Sequence, residues 1–225
     1  MRILLIETAT AVCSVALAED GHVVASRQCA DANAHSTRLP LFVKELLPSH
    51  LDAVCVSSGP GSYTGLRIGV STAKGLCYAL DCPLLSVPTL LSMATLYAEQ
   101  HPEYKGYICP MIDARRMECY TMIVSADGRV VRDTQADIIT EHLYDSWLEH
   151  DTMTFIGDGA AKTRPLLGGN PGVRYDDSFV VSAAGMASRA EAMLQAGETV
   201  DVAYFEPFYL KDFVAKKSVV HGLRD

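Results

Sequence analysis

The chain has 225 residues, 49% of them hydrophobic, and a formal net charge of -8. That length suits one large domain or two small lobes with a proper core. The acidic balance argues against a stand-alone nucleic-acid binder, which needs clustered Lys and Arg to neutralise phosphates, while leaving room for a place in a complex whose other subunits are basic.

Arg2 to Glu7 reads as a strand. Arg2 and the Ala16-Leu17-Ala18 segment resemble parts of a secretory leader, but the apolar run Ile3-Leu4-Leu5-Ile6 is broken by Glu7, Thr8 and Thr10 and is too short for one. Val12 to Ala18 forms a second strand, turned at Glu19-Asp20-Gly21 into a third, His22 to Cys29. A loop from Ala30 to Ala34 leads to Ser36 or Thr37 as a helix cap, with Pro40 in the first turn, where a missing N–H costs least. Leu39, Phe42, Val43 and Leu46 share the apolar face of that helix.

Ala53-Val54-Cys55-Val56 has strand length, and Ser57 to Gly69 carries it through a glycine turn into a helix that runs to Leu80. Gly59 and Gly61 are expected to turn with positive φ, Pro60 to stiffen the turn, and Ser62 or Thr64 to cap the helix. Such a turn presents N–H groups to an anion. Yet no Gly-Lys-Ser/Thr occurs, and Thr64 stands where a dinucleotide fingerprint needs glycine. The small residues Gly65, Gly69, Ala73 and Cys77, spaced by four, point instead to close helix packing. Leu84 to Val87 is a short strand, and Pro88 opens a helix through about Ala98.

The second half repeats the first. Ile112-Asp113-Ala114-Arg115-Arg116-Met117-Glu118-Cys119, a strand from Tyr120 to Ser125, and a turn at Asp127-Gly128 before Val130-Val131 match Ile6 to Cys13, a strand, and Asp20-Gly21 before Val23-Val24. Thr154-Phe155-Ile156-Gly157-Asp158-Gly159 repeats the strand and glycine turn, with a helix expected after it, and Ser182 to Ala196 reads as the last long helix. The expected class is α/β: two related lobes, residues 1–103 and 104–225, each a mixed sheet opened by an antiparallel hairpin and flanked by helices, with the boundary near Pro102 to Gly106. The tail sets Lys211, Lys216, Lys217 and Arg224 against Asp212 and Asp225, as a solvated end or a binding arm. The scattered Cys13, Cys29, Cys55, Cys77, Cys82, Cys109 and Cys119 contain no Cys-x-x-Cys and read as buried free thiols of a reducing cytoplasm. No segment approaches transmembrane length.

Duplicated lobes opened by hairpins resemble the actin-like (ribonuclease H-like) superfamily of sugar kinases and heat-shock ATPases. Within it the chain is similar to the TsaB (YeaZ) family, through Ile3 to Thr10 with Ser14-Val15-Ala16-Leu17, through Gly59 to Gly69, through Ile112 to Arg116, and through Pro207-Phe208-Tyr209-Leu210-Lys211. The resemblance implies a non-catalytic scaffold subunit in threonylcarbamoyladenosine synthesis on tRNA. It implies a catalytic sibling, TsaD, a small ATPase, TsaE, and dimerisation through the N-terminal lobe with the sibling or, in isolation, with a second copy. tRNA would be reached indirectly through the complex, in the cytoplasm and away from any membrane. No cofactor of its own is implied, although a nucleotide at the partner interface is compatible with the resemblance.

The residues bear on whether a site of its own survives. Nucleotide-binding members of the superfamily place Asp-x-Gly in each hairpin turn. Here Glu7-Thr8-Ala9 has no glycine, and Asp113-Ala114-Arg115-Arg116 has bulky side chains that could hold an anion, bridge the lobes or face solvent. The sibling's His-x-x-x-His metal pair corresponds to His35-Ser36-Thr37-Arg38-Leu39, with leucine second, so His35 reads as a cap neighbour or a surface residue. Ser62 is not in a Gly-x-Ser-x-Gly elbow. No catalytic, cofactor-binding or metal residue is expected.

The surface remains. On the helix from Gly65 to Leu80, the residues Gly65, Leu66, Gly69, Val70, Ala73, Leu76, Cys77 and Leu80 form the core face. The opposite stripe of Ile68, Ser71, Thr72, Gly75, Tyr78 and Ala79, flanked by Arg67 and Lys74, has less charge than a solvent face. Such a helix is either sandwiched within its own domain or docked on a partner. The resemblance favours docking, which makes this stripe, with Arg38, Leu41 and Glu45 of the preceding helix, the candidate partner interface. The alternative, from Gly59-x-Gly61 and Gly157-x-Gly159, is a self-sufficient ATP-dependent enzyme or a glycoprotease-like peptidase.

Overall fold

The computed structural model describes residues 1–31 and 34–211. Lys216, Lys217, Arg224, Asp212 and Asp225 of the tail, and part of the Ala30–Ala34 loop, lie outside the described residues. The first lobe runs β1 (Arg2–Glu7), β2 (Cys13–Glu19), β3 (His22–Cys29), α1 (Ala34–Thr37), α2 (Leu39–Leu46), β4 (Ala53–Ser57), α3 (Tyr63–Leu80), β5 (Leu84–Val87) and α4 (Thr89–Gln100). The second runs β6 (Tyr107–Asp113), β7 (Glu118–Ser125), β8 (Val130–Ile138), α5 (Asp145–Leu148), β9 (Met153–Ile156), α6 (Arg164–Leu167), β10 (Val173–Asp176) and α7 (Ala187–Ala196), with 3-10 turns at Ala161–Thr163 and Ala183–Met186.

The sheet orders are β3-β2-β1-β4-β5 and β8-β7-β6-β9-β10, the same path drawn twice. In each, two consecutive antiparallel hairpins supply three strands and parallel pairing adds two. The duplicated arrangement of two hairpin-opened mixed sheets expected from the internal repeat is the arrangement found.

Alternation along β1 sends Leu4 and Ile6 to one face and Ile3 and Leu5 to the other. The first face packs on Leu39, Val43 and Leu46 of α2 and on Val70, Ala73 and Cys77 of α3. The second packs on Met186, Ala187 and Ala190, which come from the end of the chain. On the other sheet, Leu90, Met93, Ala94 and Tyr97 of α4 cover Ile108, Met122 and Ile156, while Tyr144 and Leu167 cover Cys109 and Phe155. Helices α4 and α7 thus form the layer between the sheets, tied by Arg189 Nε to Thr95 Oγ1 at 2.8 Å.

Some local expectations need correction. Helix α2 is capped at Arg38 without a side-chain hydrogen bond, because Ser36 and Thr37 are taken up in the turn α1 that precedes it; Pro40 does sit in its first turn. The helix expected after Gly159 is only a 3-10 turn and α6, which Pro165 restarts and Gly168-Gly169 ends. Ser182 caps a 3-10 turn, accepting from Ala184 N, before α7 proper. On α3, Leu76 is half-buried and Leu80 is 42% exposed, since the left-handed cap at Asp81 turns the chain off the sheet there. The seven cysteines are free, five buried and two half-buried. No helix among the described residues is long and apolar enough to cross a membrane.

Candidate functional site

A cleft of about 700 Å³ opens between the lobes, lined by His35, Gly61 and Tyr63 on one side, by Asp113, Arg115 and Asp158 on the other, and by Tyr209 and Lys211 of the C-terminal segment. In this fold the two hairpin turns would grip phosphates there. In this chain the first turn is filled by the protein itself. A Cβ on Gly61 would lie 2.2 Å from Ala9 O, and one on Gly65 2.1 Å from Thr8 O. Ser62 N donates to Ala9 O at 2.6 Å, and Thr8 Oγ1 donates to Gly65 O at 2.9 Å. Only Gly59 (φ +101°) is left-handed; Gly61 is required by close approach rather than by positive φ, as the sequence had suggested for both. Ser62 caps α3 as expected, accepting from Gly65 N at 3.2 Å.

His35 is neither a cap neighbour nor a surface residue. It is half-buried, with Nε2 at 3.0 and 2.9 Å from Thr8 O and Thr10 O, so its N–H ties down the hairpin turn. Leu39, where a second metal ligand would stand, is in the core. No group of three His, Cys, Asp or Glu residues among the described residues could hold a metal ion.

The second turn is built differently. Asp158 Oδ1 accepts from Asp113 N at 3.0 Å, and Asp113 Oδ1 accepts from Lys162 Nζ and, at 2.7 Å, from Arg115 N. Burial alone would raise the Asp113 pKa, but the Lys162 and Arg115 N–H groups outweigh it and hold the pKa low. Burial pushes Asp158 up. Arg115 and Arg116 are left-handed at φ +70° and +50°. Both are exposed, and neither guanidinium has an ion pair or hydrogen bond among the described residues. These two turns do not fit the phosphates of a nucleotide: Thr8, Ala9 and His35 fill one cradle, and the Asp113–Lys162 pair occupies the other.

Beneath the first turn, Glu7 is fully buried, with Oε1 accepting from Ala9 N at 2.6 Å. Its Oε2 and the nearby Ser57 Oγ have no hydrogen-bond partner of good geometry. Desolvation raises its pKa to about 7.

Of the candidate interface residues, Arg38, Leu41, Glu45, Arg67, Ser71, Gly75, Tyr78 and Ala79 are exposed, and Ile68, Thr72 and Lys74 are half-buried. Tyr78 is 88% and Leu41 48% exposed, and a Cβ at Gly75 would meet nothing within 4 Å. Ile68 packs partly into the core. Arg38 lies 3.8 Å from Asp31, and Glu45 pairs with Arg27 at 2.8 Å. The two flanking cations are already engaged. Arg67 stands 4.3 Å over the Tyr63 ring and reaches Tyr209 OH at 3.4 Å. Lys74 Nζ donates to Ala203 O and Phe205 O at 2.9 and 3.1 Å. The C-terminal segment therefore lies along α3 and adds Tyr204, 84% exposed, to its surroundings. Sequence reasoning had missed Tyr204 and Tyr209; the apolar clustering in Ala203-Tyr204-Phe205 and Phe208-Tyr209 was the available signal.

A family model described as TsaD, tRNA N6-adenosine threonylcarbamoyltransferase, matches residues 29–150. The chain is 32% identical to the Escherichia coli (strain K12) tRNA threonylcarbamoyladenosine biosynthesis protein TsaB, over 97% of this chain and 98% of that one. It is 29% identical to the protein of the same name from Bacillus subtilis (strain 168), over 94% of each. Among solved structures, YeaZ from Pseudomonas aeruginosa superposes with a TM-score of 0.80 at 27% identity, covering 93% of this chain and 99% of that one. An inorganic polyphosphate/ATP-glucomannokinase from Arthrobacter shares the fold, with a TM-score of 0.50 at 10% identity.

Proposed function

This chain belongs to the TsaB family, and from that premise we propose that it is a non-catalytic subunit for threonylcarbamoyladenosine synthesis on tRNA. In this reading it activates a TsaD-like catalytic sibling by dimerising with it through α2 and α3, and pairs with a second copy of itself when alone. A TsaE-like ATPase joins the assembly, tRNA is the shared substrate, and the setting is the cytoplasm. A nucleotide, where one takes part, sits at the junction with the sibling rather than in this chain's own cleft.

The observation that carries the reading is the exposed side of α3. Tyr78 is almost fully solvated beside an open Gly75 on a helix whose other face is core. An aromatic ring left in water on a small, weakly charged stripe is stabilised by covering it. The filled first hairpin turn supports the absence of catalysis, because Ser62 N donates to Ala9 O and the Thr8 hydroxyl donates to Gly65 O, so the protein's own groups occupy the space a phosphate would need.

The test is to purify the chain alone and with a TsaD-like subunit. A stoichiometric complex, with threonylcarbamoyl transfer dependent on both chains, is the expected result. ATP hydrolysis or peptidase activity by the lone chain, or failure to form the complex, would overturn the reading.

A further inference from the structure

We propose that the β6–β7 turn is a direct contact for the phosphate backbone of RNA, made by the guanidiniums of Arg115 and Arg116. The proposal rests on the reading above that the chain works in tRNA modification, and it adds a point where this subunit touches the nucleic acid itself.

The charges at this rim of the cleft are otherwise matched. Asp113 is paired with Lys162, Glu118 with Lys211, and Asp31 lies by Arg38. Asp158 is spent on Asp113 N–H. What is left is two adjacent positive groups, both exposed and without an ion pair or hydrogen bond to their guanidiniums among the described residues, Arg115 lying only within the field of Asp113 and Tyr120, on a chain of net charge -8. They stand on backbone that disfavours them, since left-handed φ at consecutive side-chain-bearing residues carries a steric cost. Asp113 Oδ1, taking Arg115 N–H, and the Ala114 N to Glu118 O bond at 3.1 Å hold the turn in that shape.

The residue type narrows the ligand. A guanidinium forks onto phosphate oxygens with two parallel N–H bonds. Two of them side by side match a row of phosphates, whereas a single protein carboxylate would satisfy one. Tyr120 and Tyr209 line the same cleft as Arg115, although Tyr209 already packs on Tyr63, so the contact is to the phosphates and not to the bases.

The test titrates tRNA by fluorescence anisotropy at several salt concentrations, against the full-length chain alone and against the chain with a TsaD-like subunit. Arg115→Asn/Arg116→Asn removes both charges with a residue that tolerates left-handed backbone, so the fold is kept; Arg115→Lys/Arg116→Lys keeps the charges. Loss of two phosphate contacts lowers the slope of log affinity against log salt by roughly 1.5 in the Asn variant, with affinity several-fold weaker and the Lys variant close to wild type. An unchanged slope in the Asn variant overturns the proposal, as does the absence of RNA binding in both wild-type preparations. A variant that loses assembly with an unchanged RNA slope would also overturn it, marking the turn as a protein contact. A wild-type chain that binds RNA with this salt dependence but fails to assemble would sink the docking reading and leave the phosphate contact standing.

Discussion

Ala9 occupies the space that a side chain on Gly61 would need: a Cβ there would come within 2.2 Å of Ala9 O and 2.8 Å of Ala9 Cβ. The first atom is backbone and cannot swing away. Gly61→Ala should therefore push the hairpin turn off α3 and break the Ser62 N to Ala9 O bond. The expected loss is about 1–3 kcal/mol, the range for overpacking a close contact, measured by urea unfolding. A Gly61→Ala protein of wild-type stability would mean that this turn is looser than its contacts imply.

Glu7 predicts a pH dependence. Its folded pKa is about 7, raised by burial from the ordinary 4.5. As pH climbs, the unfolded chain releases this proton first and the folded chain holds it longer. Stability from this group is thus full below about pH 4.5, falls as pH rises towards 7, and is level above. A folded pKa of about 7 against the ordinary 4.5 corresponds to a loss of about 3 kcal/mol across that range. Glu7→Gln keeps an acceptor for Ala9 N and cannot ionise. The difference between variant and wild type in unfolding free energy should grow in the variant's favour between pH 5 and pH 8; a constant difference would refute the assignment.

Much of this was legible in the sequence. The bounds of β1, β3 and β5 follow from short apolar or alternating runs closed by turn residues. The Ser62 cap and the repeated order of hairpin, strand and glycine turn were equally local signals. What periodicity cannot say is which sheet a helix covers: α4 and α7 have apolar faces, but only the fold assigns α4 to the second sheet and α7 to the first. Nor could a helical wheel reveal that Arg67 and Lys74, apparently free flanks, are taken by a segment some 130 residues away. His35 was misread for the same reason, since both of its acceptors lie on another element.

The docking face gives a mutational contrast. Tyr78→Glu places a charge at the centre of the proposed interface without touching the core. Gly75→Arg adds bulk where nothing lies within 4 Å and replaces a poor helix former, so the lone chain should be as stable as wild type or up to about 1 kcal/mol more so. Both variants should elute as free chain when mixed with a TsaD-like subunit. Complex formation by both would exclude this face as the interface, and a collapse in stability would show the stripe to be core.

Asp137 anchors a buried polar network in the second lobe. It accepts hydrogen bonds from Thr121 Oγ1, Arg132 and Tyr144 OH, the last at 2.9 Å. Arg132 is largely covered, so removing its counter-charge strands a cation in low dielectric. Asp137→Ala should cost about 3–5 kcal/mol in thermal or denaturant unfolding. A loss below about 1 kcal/mol would indicate that water reaches Arg132.

Lys74 holds the C-terminal segment to α3 through two backbone carbonyls, Ala203 O and Phe205 O. Farther along, Phe208 N donates to Ser58 O at 2.7 Å, Tyr209 packs on Tyr63 at 5.0 Å between centroids, and Lys211 pairs with Glu118 of the other lobe. The segment therefore straps the lobes together across the cleft mouth, and Lys74 is its first fastening. Lys74→Met keeps the aliphatic stem over the surface and removes only the ammonium donors. Because both acceptors lie near solvent and regain water, the global cost should be about 1 kcal/mol. The local effect should be larger: amide hydrogen exchange from Ala203 to Phe208 should quicken several-fold while that of β1 and β4 stays as slow as in wild type. Equal protection of the segment in variant and wild type would assign the fastening to Phe208 and Tyr209 instead.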